Sequence, residues 1–268
     1  MIIHSYVISM WDDCDVLPDA LDSLAHFSDH IYVVDGGIEG GTLCHHPRYE
    51  TPLAESTFGK LLGDSNFGDR TLITTWNNVP LTLWENPFLD PGNQRNWTLK
   101  KMEKEPNQPN WICWIDSDEV TSRQFIDGLR PYLEALNPFV TNVCPKWLNL
   151  VQDEHHCVPH MSNWLAHGRL HQPRTVYYNS GWHEHQNYDG ERDHWDVRII
   201  HARALYRRRL WIQRGHPMVA GRDNPLWADA KIEAIPFGVS WANLHWPKDE
   251  VIIPFDMDIR DFDGGKYA

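Results

Sequence analysis

Ile2-Ile3-His4-Ser5-Tyr6-Val7-Ile8-Ser9, then Leu17, Leu21 and Leu24, then Ile31-Tyr32-Val33-Val34-Asp35-Gly36-Gly37 is the stretch that decides the fold. The first run is short, apolar and rich in β-branched residues, which predicts a buried strand. The three leucines fall at helical spacing, with Pro18 near the start, where a missing N–H costs nothing. Ile31–Val34 predicts a second buried strand that ends in Asp35 and two glycines. Strand, helix and strand in that order form a βαβ unit, and such units build parallel sheets.

Outward from this unit, Gly36–Gly68 is rich in Gly, Pro and His and reads as loop. Thr71–Thr75 predicts a third strand, and Asn93–Lys104 a helix stopped by Pro106 and Pro109. Trp111–Ile115 is a very apolar fourth strand that runs into Asp116-Ser117-Asp118-Glu119. Phe125–Leu136 predicts another helix. From residue 138 helical periodicity fades, and alternating runs such as Thr175–Tyr178 predict antiparallel strands. Arg203–Arg214 is strongly basic and reads as a helix, and the acidic tail from Pro254 reads as a chain terminus. The expected organisation is an α/β half over residues 1–137 and a second region over 138–268, in one continuous globule.

The chain has 268 residues, 41% hydrophobic and 23% charged, which excludes a disordered chain, a collagen-like repeat and a coiled coil. No apolar run approaches the about 18–20 residues of a membrane span. The opening MIIHSYVISM has no basic n-region, so it does not read as a signal peptide. Cys14, Cys44, Cys113, Cys144 and Cys157 make no C-x-x-C pair, and an odd count without a leader predicts free thiols and a cytoplasmic setting. The net charge of −13 weighs against a general polyanion binder. Fourteen Trp invite a sugar- or base-stacking reading, with core packing favoured over it.

Two constellations carry chemistry. Asp35 ends a strand before Gly36-Gly37-Ile38-Glu39-Gly40-Gly41-Thr42. In open α/β sheets ligands bind beyond the carboxyl ends of the strands. A carboxylate there accepts hydrogen bonds from ribose hydroxyls or a base N–H, and glycines admit a ligand to the backbone. The plainer reading is a turn with a capping Asp. Asp116-Ser117-Asp118-Glu119 puts three acids in four residues, which need a cation or strong hydrogen bonds. Hard oxygens at that density suit Mg²⁺ or Mn²⁺. The plainer reading is a helix N-terminus with its cap and first-turn acids.

The order VVDGGIEGGT, NQRNWTLKKM and WICWIDSDE resembles the nucleotide-sugar glycosyltransferases of family two, which have the GT-A fold. Arg169-Leu170-His171 and Tyr177-Tyr178-Asn179-Ser180-Gly181-Trp182-His183-Glu184 are similar to the family's R-L-F followed by Gly and His-Glu, and Ile199-Ile200-His201 to a later His. The resemblance spans about residues 1–201. It departs where Trp11-Asp12 stands for Asn-Glu, and where Ile38 and Gly40 replace the family's Ser and Asp.

The resemblance implies a GT-A-like, Rossmann-related mixed sheet flanked by helices, with the acceptor side in residues 138–268. It implies a metal-dependent, inverting transfer from a nucleotide diphosphate sugar to a hydroxyl acceptor. Asp12 and Asp35 would contact the nucleoside, and Arg95 would neutralise the donor phosphate or hold the D-x-D segment. Asp116 would touch the ribose or a metal-bound water, and Asp118 would ligate Mn²⁺ or Mg²⁺, with Asp116 and one of His183, His185 and His201 completing the shell. Arg169 would bind substrate. Inversion needs a general base, for which Glu184 stands first and Asp153 or Glu154 second. The competing reading of Glu184 is an ion pair with Arg169 or Arg174. Arg203, Arg207, Arg208, Arg209 and Arg214 offer a grip on phosphate, against a solvated helix face. The acceptor classes are a glycan, a lipid-linked sugar, a protein or a modified DNA base, the last disfavoured by the acidic balance. The rival functions are a non-catalytic carbohydrate- or nucleotide-binding module and a nucleotidyltransferase. A nucleotidyltransferase calls for a basic residue after the first strand, where Trp11-Asp12-Asp13 stand.

Overall fold

The computed structural model describes residues 1–9, 17–36, 71–86, 91–117, 119–149, 156–157, 168–179, 186–201 and 253–254. Strand β1 (Ile3–Ser9) is buried along its whole length. Helix α1 (Leu17–Ala25) follows, with Leu17, Ala20, Leu21 and Leu24 buried at i, i+3, i+4 and i+7. Strand β2 (His30–Asp35) then pairs parallel to β1, so the expected βαβ unit is present.

The third strand, β3 (Thr71–Trp76), is one arm of a hairpin whose other arm, β4 (Val79–Glu85), the sequence reading did not anticipate. Asn77 and Asn78 make the two-residue turn with φ of 47° and 67°. Two consecutive left-handed residues define the tight turn that matches strand twist, and asparagine tolerates it. The Trp76 indole and the Asn77 amide both donate to Asp22 Oδ1 at 2.8 Å, which docks the turn on α1. Pro80 sits one residue before β4 begins to pair with β2, so its missing N–H breaks no bond to that strand.

Helix α2 (Pro91–Met102) starts and stops two residues earlier than expected. Just past its end, the Gln108 side-chain amide donates to the Met102 and Glu105 carbonyls. Strands β5 (Trp111–Asp116) and β6 (Glu119–Thr121) come next. Helix α3 (Arg123–Ala135) is capped by Ser122, whose side chain accepts from the Phe125 N–H. Phe125, Leu129 and Leu133 form its buried stripe.

Beyond residue 138 the chain forms β7 (Val140–Asn149), β8 (His156–Cys157), β9 (Leu170–His171), β10 (Val176–Tyr178), β11 (Gln186–Tyr188), β12 (Glu191–His201) and β13 (Ile253–Pro254). β10 and β11 pair antiparallel, as Thr175–Tyr178 predicts, but β7 and β12 are long strands that pair parallel.

Among the described residues the main sheet has nine strands in the order β3-β4-β2-β1-β5-β9-β7-β12-β6. It is a mixed sheet flanked by helices, the fold class that the sequence predicts. Strands β4, β2, β1 and β5 are parallel, so their carboxyl ends lie along one edge. One face packs on α1 and α3 through Val7, Leu21, Val33, Ile115, Phe125 and Leu129. The other buries Tyr6, Tyr32, Trp84, Trp114 and Tyr178 with Leu99 and Met102 of α2. Trp84, Trp111 and Trp114 are buried, and Trp76, Trp97 and Trp195 pack against the two cores. For these six, core packing prevails over a stacking platform.

The order of strands has a geometric consequence. β5 and β6 stand four places apart, about 19 Å in a flat sheet. Only Ser117 and Asp118 connect them, and that connection reaches at most about 11 Å. The sheet therefore curls, so that β9, β7, β12 and β6 return to the end of β5.

Candidate functional site

Each of the four adjacent parallel strands ends on a polar residue: Glu85 on β4, Asp35 on β2, Ser9 on β1 and Asp116 on β5. The order β4-β2-β1-β5 reverses direction at β1, because β2 leaves it on one side and β5 on the other. Crevices at such switch points, outside the carboxyl ends, are where open α/β sheets bind ligands.

Asp35 faces Glu85 on β4 and Ser9 on β1 in register, and all three are buried. Among the described residues the Ser9 hydroxyl has no hydrogen-bond partner. Asp116 faces Ile8 rather than Ser9, one position earlier on β1. Strand alternation then directs Asp35 and Asp116 to opposite faces of the sheet at the same edge. Glu85 was not singled out from the sequence; its signal lay in the unseen strand β4, which ends in register with Asp35.

The acid turn is held by arginines. Arg95, in the first turns of α2, donates from Nη2 to Asp116 Oδ1 at 2.9 Å. Arg169, immediately before β9, donates from Nη2 to Glu119 Oε1 at 2.6 Å and lies 3.8 Å from Asp116 Oδ2. Glu119 Oε2 accepts the Asp116 N–H at 2.9 Å. Both guanidinium carbons lie 3.7 Å from the centre of the Trp114 ring, a cation–π contact that seats two cations in an apolar core. Asp116 has a side chain 31% exposed, whereas Glu119 is fully buried.

The three acids of the segment were expected to need a cation or strong hydrogen bonds. For Asp116 and Glu119 the structure supplies two arginines. Of the two roles open to Arg95, its contact is with the D-x-D segment. Arg169 is turned inward on Glu119 and Asp116; the competing reading of Glu184, an ion pair with Arg169 or Arg174, involves a residue outside the described ones.

Behind the arginines a polar network fixes the strand ends. Gln186 grips the Gly168 peptide, accepting its N–H at 2.8 Å and donating to its carbonyl at 2.9 Å. The same carbonyl accepts the Trp114 indole N–H. Burial pushes the Tyr178 phenol up to about 12, so it stays protonated, and its oxygen accepts from Gln186. Asn96 of α2 exchanges two hydrogen bonds with the Tyr178 backbone. A groove of about 290 Å³ lies between later turns of α2 and Arg174–Tyr177; none of Asp35, Arg95, Asp116 or Arg169 lines it.

Asp12, Asp118, His183, Glu184, His185, Asp153, Glu154, Arg203, Arg207, Arg208, Arg209 and Arg214 lie outside the described residues. His201 pairs through its backbone with Glu119. Among the described residues no group of three or more His, Cys, Asp or Glu could hold a metal ion. Of the described acids, Asp116 fits a hard divalent cation, since its carboxylate reaches solvent at the sheet edge. Glu119 does not fit, because both of its oxygens are engaged within the core. No helix among the described residues is long and apolar enough to cross a membrane.

No family model and no curated protein matches this chain. Among solved structures, part of the chain superimposes on Staphylococcus aureus TarS residues 1–349 in complex with UDP-GlcNAc. That match has a TM-score of 0.37 and 15% identity, over 56% of this chain and 35% of that one. A second structure of S. aureus TarS matches at TM-score 0.36 and 15% identity, over 56% of this chain and 22% of that one. A structure of TarS 1–349 matches at TM-score 0.37 and 12% identity, over 65% and 47%. The chain thus spans less than half the length of each of these three solved chains.

Proposed function

We propose that this chain is a glycosyltransferase that binds a nucleotide diphosphate sugar at the carboxyl edge of the sheet and passes the sugar to a hydroxyl. The observation that supports it most is the Asp116–Glu119 turn, set at the β1/β5 switch point on two buried arginines. An ion-paired acid turn with one exposed carboxylate, beside the polar ends of β1, β2 and β4, suits a ligand with sugar hydroxyls and a diphosphate.

In this reading Asp35 and Asp12 accept hydrogen bonds from the nucleoside. Arg95 orients Asp116, and Arg169 steadies the turn from the other side. Asp116 and Asp118, with His183, would hold Mn²⁺ or Mg²⁺, which when bound supplies Lewis-acid stabilisation of the leaving diphosphate. Glu184 takes the proton of the acceptor hydroxyl, with inversion at the anomeric carbon. A glycan or lipid-linked acceptor suits the net charge of −13 better than DNA does. Arg203, Arg207, Arg208 and Arg209 would meet any acceptor phosphate.

The test is release of nucleoside diphosphate from a panel of UDP-, GDP- and dTDP-sugars with Mn²⁺ or Mg²⁺. Turnover of one donor, lost by about 10²-fold in Glu184→Gln with binding retained, supports the reading. Donor binding without turnover would favour a binding module. Neither binding nor turnover of any donor would overturn the site assignment.

A further inference from the structure

Glu119 is fully buried, and it joins three pieces of chain. Its Oε2 takes the N–H of Asp116, the last residue of β5, at 2.9 Å. Its Oε1 takes Arg169 at 2.6 Å, from the residue before β9. Its backbone pairs with His201 at the end of β12. These contacts lie where the curled strands β9, β7, β12 and β6 return to β5.

We infer that Glu119 and Arg169 form a clasp that holds Asp116 in place at the end of β5 for ligand binding, so that Glu119 is a positioning residue and not a metal ligand. Three features argue for it. A carboxylate with no exposure cannot take a solvated cation without opening the core. Its two oxygens serve two different donors, one at the end of β5 and one on the residue just before β9. The Arg169 guanidinium is itself fixed over Trp114, so the clasp is anchored at both ends. Gly168, next to Arg169, is gripped by Gln186, which extends the anchor to β11. The placement of Asp116 thus depends on strands more than 50 residues downstream of it.

The significance of the clasp for ligand binding rests on the proposed donor site; its effect on Asp116 does not. The experiment therefore has two arms. In the first, hydrogen exchange is followed at the Asp116 amide in wild type, Glu119→Gln and Glu119→Asp. Gln offers one acceptor oxygen where Glu offers two, and Asp is one methylene too short to reach both donors. Exchange at Asp116 should accelerate at least about tenfold in both, while amides of Val7 and Val33 stay protected. In the second arm, Mn²⁺ alone is titrated by electron paramagnetic resonance, and its affinity should fall about tenfold or more with the fold intact.

Arg169→Lys keeps the charge and leaves Glu119 paired, so it covers the case in which Glu119 variants fail to fold. It loses the planar fork over Trp114 and should also accelerate exchange at Asp116. Unchanged exchange at Asp116 in any folded variant overturns the clasp. If wild type takes no Mn²⁺, the metal-site reading fails, while the exchange arm still decides the clasp.

Discussion

The Arg169 guanidinium meets the Glu119 carboxylate at 2.6 Å, with the two side chains 5% and 0% exposed. Removing one partner of such a pair leaves a buried charge uncompensated. Arg169→Met should therefore cost about 3–5 kcal/mol in urea unfolding. Adding Glu119→Leu should recover most of that loss, because an apolar pair replaces an ionic one without an orphaned charge. A double variant no more stable than Arg169→Met would contradict the pairing.

The β3–β4 turn offers a local test. Asn78 has a φ of 67°, a conformation that β-branched residues reach only with strain. Asn78→Val should destabilise by about 1–2 kcal/mol, whereas Asn78→Gly should be neutral or better. Thermal unfolding of the two variants checks this, and equal melting temperatures would contradict it.

Acid should unfold the protein through its buried histidines. Burial, then the neighbouring His30, hold His4 down to about 4 from 6.5, against the opposing pull of Asp29. Burial holds His171 down to about 4, opposed by the Gln172 carbonyl that accepts from its Nδ1. Both are neutral in the folded state at neutral pH, while the unfolded chain binds protons below about 6.5. Stability is then fully present above pH 6.5 and falls as pH drops towards 4. His171 alone should account for about 2 kcal/mol of the loss between pH 6.5 and about 5. His171→Asn keeps a donor for Gln172 and removes the titration, so urea midpoints against pH should flatten. An unchanged slope would contradict the assignment.

Gly168 must stay a glycine. A Cβ there would run into the side-chain amide of Asn142. Gly168→Ala should cost about 1–3 kcal/mol and displace Arg169, the next residue. Lower melting together with faster exchange at Asp116 is the expected pattern; a wild-type melting curve would contradict it.

Three of the four parallel strands were legible because they are short, largely apolar runs that end in punctuation. Ile3–Ser9, Ile31–Asp35 and Trp111–Asp116 needed no partner to be recognised. Strand β4 was missed because Val79-Pro80-Leu81-Thr82-Leu83-Trp84-Glu85 carries a proline, although the Asn77-Asn78 pair marks a hairpin turn. β12 was missed because Glu191-Arg192-Asp193-His194 is charged, which suits its half-exposed first half. At the site, composition showed that the acids need compensation but not from where. Arg95 precedes them by 21 residues and Arg169 follows them by 50. Glu119 looked like one more candidate ligand; only its burial reveals that it faces inward.

The most direct test of the central claim is a thermal-shift titration with nucleotide diphosphate sugars, each with and without Mn²⁺, on wild type, Asp116→Ala and Asp118→Ala. A ligand bound by the native state alone raises the melting temperature by mass action. The account predicts that at least one nucleotide sugar stabilises wild type when metal is present, and that both variants, while folded, lose the shift. Equal shifts in wild type and both variants, or none with any donor, would contradict a donor site at the carboxyl edge of the sheet.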